Sequence, residues 1–285
     1  MKNIRIFISS PGDVQLERNI ARNVINELSS LYTKHAKFEI LMWEDFPLSA
    51  HSTFQDGINY FLENKEKPID IAVFILWSRL GTPLDHKFVK ADGTLYQSGT
   101  EYEFDLMMHM HRTTNLPSRI LTYLKKDDRF PNVLNYEDLS EKLNQKKKLD
   151  SFIKEYFHDD ATNSNYAYMP FGENNSFEKV FRTHIQNAIK DILGDIDDIK
   201  EWEGNPYVGL NSFEYKDSAI FFGRRQLVYE TASKLITQDD NNHTKKSLIV
   251  LGESGSGKSS FIKAGLLPFF CNKNTSTQYI VVHPS

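Results

Sequence analysis

The segment Gly252–Ser260 reads GESGSGKSS and has the spacing G-x-x-x-x-G-K-[ST] of a phosphate-binding loop. In such a loop the glycines let backbone N–H groups point at phosphate oxygens, and the next helix adds the positive end of its dipole. Lys258 would reach the β- and γ-phosphates, and the Ser259 hydroxyl would bind Mg²⁺. The pattern predicts a site for ATP and Mg²⁺, made by the residues Gly252, Glu253, Ser254, Gly255, Ser256, Gly257, Lys258, Ser259 and Ser260.

The surroundings of this loop favour nucleotide binding. The apolar run 247–251 predicts a strand leading into the loop, and 258–270 has the periodicity of an amphipathic helix leading out. The alternative is a glycine-rich turn that binds no ligand. Hydrolysis also needs an acidic residue at the end of a second strand, and the next predicted strand, 278–283, offers none. We therefore expect these residues to bind ATP but to hydrolyse it poorly by themselves.

The first half of the chain alternates apolar strands with amphipathic helices. Strands are predicted at 4–9, 37–43, 69–77, 119–124 and 166–171. Helices are predicted at about 14–32, 52–62, 100–111 and 139–156, with a last one starting at a Ser176 cap. The third strand is apolar almost throughout, as expected for a central parallel strand. The alternation predicts a doubly wound α/β domain with a parallel sheet of about five strands, ending near Gly194.

Several residues that suit ligand chemistry fall at or just beyond predicted strand ends, where open α/β sheets bind their ligands. These residues are Ser9, Ser10, Glu44, Trp77, Ser78 and Glu103. A carboxylate at such a position can stabilise an oxocarbenium-like transition state or hold ribose hydroxyls. An aromatic ring, of Trp43 or Trp77, can stack on a base. We take Ser9, Ser10, Glu44, Trp77 and Ser78 as candidate substrate-binding residues.

Purely structural roles compete with this interpretation. Thr100 and Glu103 have the spacing of a capping box, and Glu101 and Glu103 also suit the positive end of a helix. Ser10 followed by Pro11 is typical of an N-cap and first turn. Trp77 can equally end a buried strand.

Composition narrows the class of protein. The 285 residues carry 34 basic and 38 acidic side chains, for a net charge of −4, so nucleic-acid binding is not indicated. The single cysteine, Cys271, excludes an internal disulfide and fits a reducing cytoplasm. The sequence contains no run of 18 apolar residues, so no membrane span is predicted.

The region from Asn205 onward resembles the STAND class of signalling ATPases, in particular a bacterial branch with an opening Pro-Tyr-x-Gly-Leu…Phe…Phe-Phe-Gly-Arg segment. The matching residues are Pro206, Tyr207, Gly209, Leu210, Phe213, Asp217, Phe221, Phe222, Gly223 and Arg224, and Ala264–Pro268 after the loop. The resemblance implies nucleotide contacts for Gly223 and Arg224, although Arg224 can equally be a surface residue at a helix start. The Walker B acid and C-terminal sensor of the class are absent from the sequence, which therefore looks like the front of a longer protein.

Residues 1 to about 193 resemble the TIR-like domain of unknown function that often precedes such ATPases. The landmarks are 7–13 (FISSPGD), Glu17-Arg18, Trp43-Glu44, 98–104 (SGTEYEF) and the Phe177 helix. In NAD-cleaving TIR domains, a glutamate near the start of the helix after the third strand is catalytic. Glu103 is the matching position, so the resemblance implies a flavodoxin/TIR-like fold, a candidate catalytic Glu103 and NAD as a candidate substrate.

These inferences combine into one predicted organisation. We expect a TIR-like domain at 1–194, a linker at 195–205 and the front of a STAND NTPase domain at 206–285. The resemblance implies a cytoplasmic defence protein, plausibly active against phage, that self-associates when a region outside this sequence senses a trigger. The α/β domain would be either an enzyme that cleaves NAD or a related nucleotide, or a non-catalytic module for self-association or recruitment.

Overall fold

The structure is a computed structural model, and it describes most of the chain. The described residues are 1–32, 35–43, 55, 59, 62–64, 66–127, 133–157, 167–172, 174–194, 207–209, 211–221, 223–236 and 248–270. Predictions that fall on other residues, including Glu44, most of the 52–62 helix and the 278–283 strand, lie outside the described part of the chain.

The described elements alternate between strands and helices through the first 194 residues. In chain order they are β1 (Lys2–Ser9), α1 (Gln15–Leu31), β2 (Ala36–Leu41), β3 (Ile71–Leu76), α2 (Gly99–Thr114), β4 (Arg119–Lys125), α3 (Tyr136–Phe157), β5 (Met169–Phe171), α4 (Asn174–Leu193), α5 (Arg225–Ile236) and α6 (258–270). Short 3₁₀ turns occupy Gly12–Val14 and Tyr215–Ile220. Helix α6 is α-helical at Lys258–Ser260 and Leu267–Phe270, with a π-helical segment at Phe261–Leu266 between them.

The five strands form one parallel sheet in the order β2-β1-β3-β4-β5. This is the order of a doubly wound α/β fold, as the sequence pattern predicted. The chain moves from β1 to β2 on one side and then crosses back to β3 on the other, so the strand order reverses between β1 and β3. Their register pairs Ile6 with Ile71 and Ser9 with Phe74, which brings both carboxyl ends to one edge.

Alternating side chains of the central strands build two apolar cores. Ile4, Ile6 and Ile8 of β1 belong to a cluster shared with α1 and α4 on one face of the sheet. Phe7 of β1 and Phe74 of β3 belong to a second cluster shared with α2 and α3 on the other face. This two-sided burial follows from the period of two along a strand and explains why β3 is apolar throughout.

The residues after 207 pack on the α1 and α4 side of the sheet domain. Val228, Tyr229 and Ala232 of α5 and Phe261 and Leu266 of α6 are buried and join the same apolar cluster as α1 and α4. The two parts of the chain therefore share one continuous core.

A buried hydrogen bond and two ion pairs accompany this apolar contact. The Tyr229 hydroxyl donates to Glu178 Oε2 at 2.5 Å. Arg182 Nη2 lies 2.9 Å from Glu178 Oε1 and 2.6 Å from Glu27 Oε2, which links α4 to α1. The hydroxyl of Tyr229 thus connects α5 to a charged network on the sheet domain.

Two local predictions about helix and strand boundaries were wrong. Helix α4 begins at Asn174, so Ser176 lies inside its first turn rather than capping it. Residues 248–251, predicted as a strand, have no strand hydrogen bonds, and Ile249 and Leu251 are exposed. A strand needs a neighbouring strand to complete its hydrogen bonds, and none of the described strands lies beside 248–251.

We predict that Tyr229→Phe destabilises the chain by about 1–3 kcal/mol, because it removes a hydrogen bond to a buried charged group. The measurement is the shift of the thermal unfolding transition. Tyr136→Phe, the same change at an exposed site on α3, serves as the control and should leave the transition in place. Equal, negligible shifts in both variants would show that the contact between α5 and α4 contributes no stability.

Candidate functional site

A cavity of about 470 Å³ opens outside the carboxyl ends of β1 and β3. That volume lies in the range of small-molecule sites. Its walls come from the segment after β1, from the loop after β3 and from the first turn of α2. The lining residues include Ser9, Ser10, Gly12, Trp43, Gln55, Arg79, Leu84, Asp85, Phe88, Gly99, Thr100 and Glu103. The cavity therefore lies where the strand order reverses, as is usual for ligand sites in such sheets.

Glu103 is the buried acidic group of this cavity. Its Oε2 accepts a 2.6 Å hydrogen bond from Ser9 Oγ, and its Oε1 lies 3.5 Å from Gln55 Nε2. Burial raises the pKa of Glu103 to about 7, although the Ser9 and Gln55 hydrogen bonds act in the opposite direction. A carboxyl group with this pKa exchanges a proton near neutral pH, as general acids and bases must.

The start of α2 is capped by residues other than Glu103. Ser98 Oγ accepts a hydrogen bond from Glu101 N at 3.1 Å, and Glu101 Oε2 accepts one from Gln97 N at 2.6 Å. Glu101 is also paired with Lys90 Nζ at 2.7 Å. The predicted capping box of Thr100 and Glu103 is therefore wrong, and the Glu103 carboxyl lies in the cavity wall.

Two glycines allow the walls to approach each other. A Cβ on Gly99 would lie 2.9 Å from Gln55 Oε1, and a Cβ on Gly81 would lie 3.2 Å from Thr100 Oγ1. Gly81 also has a φ of +121°, which disfavours other residues. The loop after β3 and the side chain of Gln55 can therefore pack directly on the first turn of α2.

The segment after β1 is held by a buried arginine. Arg18 Nε donates to Ser10 Oγ at 2.7 Å, and its Nη2 donates to the carbonyl oxygens of Ser10 and Pro11 at 3.0 and 2.9 Å. Its guanidinium also lies 5.6 Å from the centre of the Trp43 ring. Ser10 is therefore not the predicted N-cap: the 3₁₀ turn that precedes α1 has no side-chain cap.

Two of the other candidate residues lie outside the cavity, and one aromatic candidate lies in its wall. Ser78 and Trp77 follow β3 but do not line the cavity. The backbone N and Oγ of Ser78 donate to Asp13 Oδ2 at 2.9 and 2.8 Å, while Lys125 Nζ lies 4.6 Å from the Trp77 ring centre. Of the predicted aromatic pair, Trp43 is the one in the cavity wall. Glu44 lies outside the described residues.

Three cavity or supporting residues were missed from the sequence. The sequence places Gln55 only within the predicted 52–62 helix, gives Arg79 no role, and marks Arg18 only as part of the resemblance. A cation directly after Ser78 at a strand end was the available signal for Arg79. No sequence signal distinguished Arg18 from a surface arginine of α1, because its burial depends on the Ser10–Pro11 turn.

The predicted phosphate loop is described in full by the structure. Gly255 and Gly257 have φ values of +76° and +81°, which glycine tolerates best. Lys258 Nζ donates to the carbonyl oxygens of Gly252 and Glu253 at 2.8 and 2.6 Å. The lysine thus lies folded over its own loop, and Ser259 is at the start of α6.

The segment before α5 contacts this loop. Arg224 Nη2 donates to Ser256 O at 2.7 Å, and a Cβ on Gly257 would lie 3.4 Å from the Arg224 guanidinium. Phe213 N donates to Ser260 Oγ at 3.0 Å. Gly223, with a φ of +88°, provides the turn before Arg224. Arg224 and Phe213 thus meet the loop from distant parts of the sequence, and the nucleotide contacts of Gly223 and Arg224 stay a prediction.

Residues 206–285 match the family model of Novel STAND NTPase 1. This match supports a relationship to the STAND-class NTPases for that part of the chain. No curated protein and no solved structure matches the chain.

Neither a membrane-spanning helix nor a metal-binding cluster is present among the described residues. No helix in that part of the chain has the length and apolarity that a membrane crossing requires. Nor do the described histidine, cysteine, aspartate and glutamate side chains form a group of three that could hold a metal ion.

We predict that Glu103→Gln changes stability in a pH-dependent way. The folded-state pKa of about 7 exceeds the ordinary value of 4.5, so raising the pH through this window favours the unfolded state by about 3 kcal/mol. The glutamine variant, which has no proton to lose, should match the parent at pH 4.5 and be more stable at pH 8. The measurement is thermal unfolding at both pH values.

The control for this experiment is Glu141→Gln, at an exposed site on α3, which should show no such pH dependence. An identical difference between Glu103→Gln and the parent at both pH values would contradict a raised Glu103 pKa.

Proposed function

We propose that this chain combines an ATP-binding STAND-class switch with an α/β effector domain that cleaves the N-glycosidic bond of NAD or a related nucleotide. The family match at residues 206–285 supports the first part. The observation that carries the second is the buried Glu103 carboxyl, bonded to Ser9 and lining a cavity where the strand order reverses. The shared core of α1, α4 and α5 supports communication between them.

The proposed reaction is hydrolysis at C1′ of the nicotinamide riboside unit. Water adds to C1′ as the C1′–N bond breaks, the bonding electron pair neutralises the ring nitrogen of nicotinamide, and the water loses a proton. The ionised Glu103 would stabilise the positive charge that develops on the sugar or hold its hydroxyls. Trp43, in the same wall, would stack on the base.

The proposed switch uses the loop at Gly252–Ser260. The ammonium of Lys258, now bonded to two carbonyl oxygens of the loop, would turn to the β- and γ-phosphates, and the Ser259 hydroxyl would bind Mg²⁺. Arg224 would follow because it is bonded to Ser256 O. Self-association in the bound state would bring the effector domains together. The resemblance implies that this assembly acts in defence against phage.

The test of the effector reaction is release of nicotinamide from NAD by the whole chain, alone and fused to an oligomeric scaffold. Glu103→Gln should lower kcat by at least about a hundredfold, because a carboxylate at the reacting centre contributes about this much. Glu141→Gln should retain the parent rate. Release by the parent and Glu103→Gln at equal rates would refute the role of Glu103. No release under any condition would favour a domain that only self-associates.

The test of the switch is binding of ATP with and without Mg²⁺, measured by calorimetry. Lys258→Ala should weaken binding at least about tenfold, because it removes a cation from the phosphates. Ser259→Ala should weaken it only when Mg²⁺ is present. Lys154→Ala, at an exposed site on α3, is the matched control, and a loss equal to that of Lys258→Ala would show that the loop is not the ATP site.

A further inference from the structure

We propose that Arg79 binds a phosphate group of the cavity's ligand, so that the site selects phosphorylated ribosyl compounds over the corresponding nucleosides. The inference rests on the proposed function for placing the glycosidic bond at Glu103. Arg79 lies just beyond the carboxyl end of β3. It would make a second contact with the ligand, and this contact would recognise the phosphate group.

The first observation is a hydrogen-bond donor with no partner. Arg79 lines the cavity, and its Nε atom is buried without a hydrogen-bond acceptor in the described part of the chain. Buried polar atoms in folded proteins almost always have a partner, whether protein, water or ligand. A guanidinium in a cavity wall that lacks a protein acceptor is therefore suited to an acceptor that enters with the ligand.

The nearby carboxylate does not meet this need. Asp13 lies close enough for the charge of Arg79 to act on its pKa, but Asp13 Oδ2 accepts its hydrogen bonds from Ser78 N and Oγ. Its buried Oδ1 has no hydrogen-bond partner among the described residues. Burial raises the pKa of Asp13 overall, while the Ser78 hydrogen bonds and the charge of Arg79 act in the opposite direction.

The second observation concerns Ser10, in the same wall. Its Oγ accepts a 2.7 Å hydrogen bond from Arg18 Nε, so its own hydroxyl proton points elsewhere. No acceptor for that proton lies among the described residues. The Ser10 hydroxyl can therefore donate to a ligand in the cavity, to which Arg79 would supply further donors.

Arg79 is the cationic side chain among the described residues that line the cavity. Besides Arg79, its described charged or titratable lining residues are Asp85 and Glu103. The pKa of about 7 leaves Glu103 partly protonated at neutral pH, and Asp85 is exposed to water. A phosphate matches the planar array of guanidinium donors and accepts several hydrogen bonds at once.

The experiment compares two ligands that differ by one phosphate, nicotinamide mononucleotide and nicotinamide riboside. Binding of each is measured by calorimetry on the parent chain, Arg79→Met, Arg79→Lys and Lys258→Ala. The parent should bind the mononucleotide about tenfold to a hundredfold more tightly, as expected of a charge-assisted contact. Arg79→Met should abolish this preference by weakening only the mononucleotide, and Arg79→Lys should restore part of it.

Three other results would overturn the proposed phosphate contact of Arg79. A merely structural role for Arg79 would weaken both ligands equally in Arg79→Met, and this result would overturn the proposal, as would equal binding of both ligands by the parent. If Lys258→Ala lost the preference for the mononucleotide and Arg79→Met kept it, the phosphate would bind in the Gly252–Ser260 loop. This result would also overturn the proposal. Because the phosphate contact is detected from binding and not from product formation, absence of nicotinamide release would refute the proposed reaction but not the phosphate contact.

Discussion

Strand β1 is hydrogen-bonded in parallel to β2 on one side and to β3 on the other, and this pairing positions the helices and the cavity. It places β1 in the interior of the sheet, with side chains buried on both faces. Because the crossover after β2 returns the chain to the other side of β1, the connections diverge at the carboxyl ends of β1 and β3. The divergence leaves a gap at that edge, and the 470 Å³ cavity occupies it.

The position of Glu103 in the cavity depends on which side chains accept hydrogen bonds from the backbone at the start of α2. Ser98 and Glu101 meet the hydrogen-bonding needs of the helix start and of the preceding backbone. Glu103 is therefore not needed to cap the helix. Its carboxyl is nevertheless buried beside Ser9, and the loss of solvation that disfavours the ionised form raises its pKa. A group kept buried at such a cost is typical of functional sites, which is why the carboxyl carries the proposed reaction.

The residues after 207 pack against the face of the sheet domain that carries α1 and α4. Helix α5 is buried against α1 and α4, while Arg224, just before it, is bonded to Ser256 O in the Gly252–Ser260 loop. The helix therefore contacts the sheet domain through Tyr229 and the loop through the residue that precedes its first turn. A movement of the loop on binding phosphate would act on a helix that is already part of the shared core, and this contact is the physical basis for coupling the two proposed sites.

Much of the secondary structure and the glycine-rich loop could be predicted from local patterns in the sequence. Period-two and period-3.6 patterns located all five strands and most helices, and the glycine and lysine spacing marked Gly252–Ser260, because these signals are local. Which strand ends share a cavity became clear from the folded chain alone. It placed Ser9, Ser10 and Glu103 together with Arg79 and Gln55, and left Trp77 and Ser78 outside. Burial, partners and pKa depend on contacts between residues distant in sequence, and no local pattern records them.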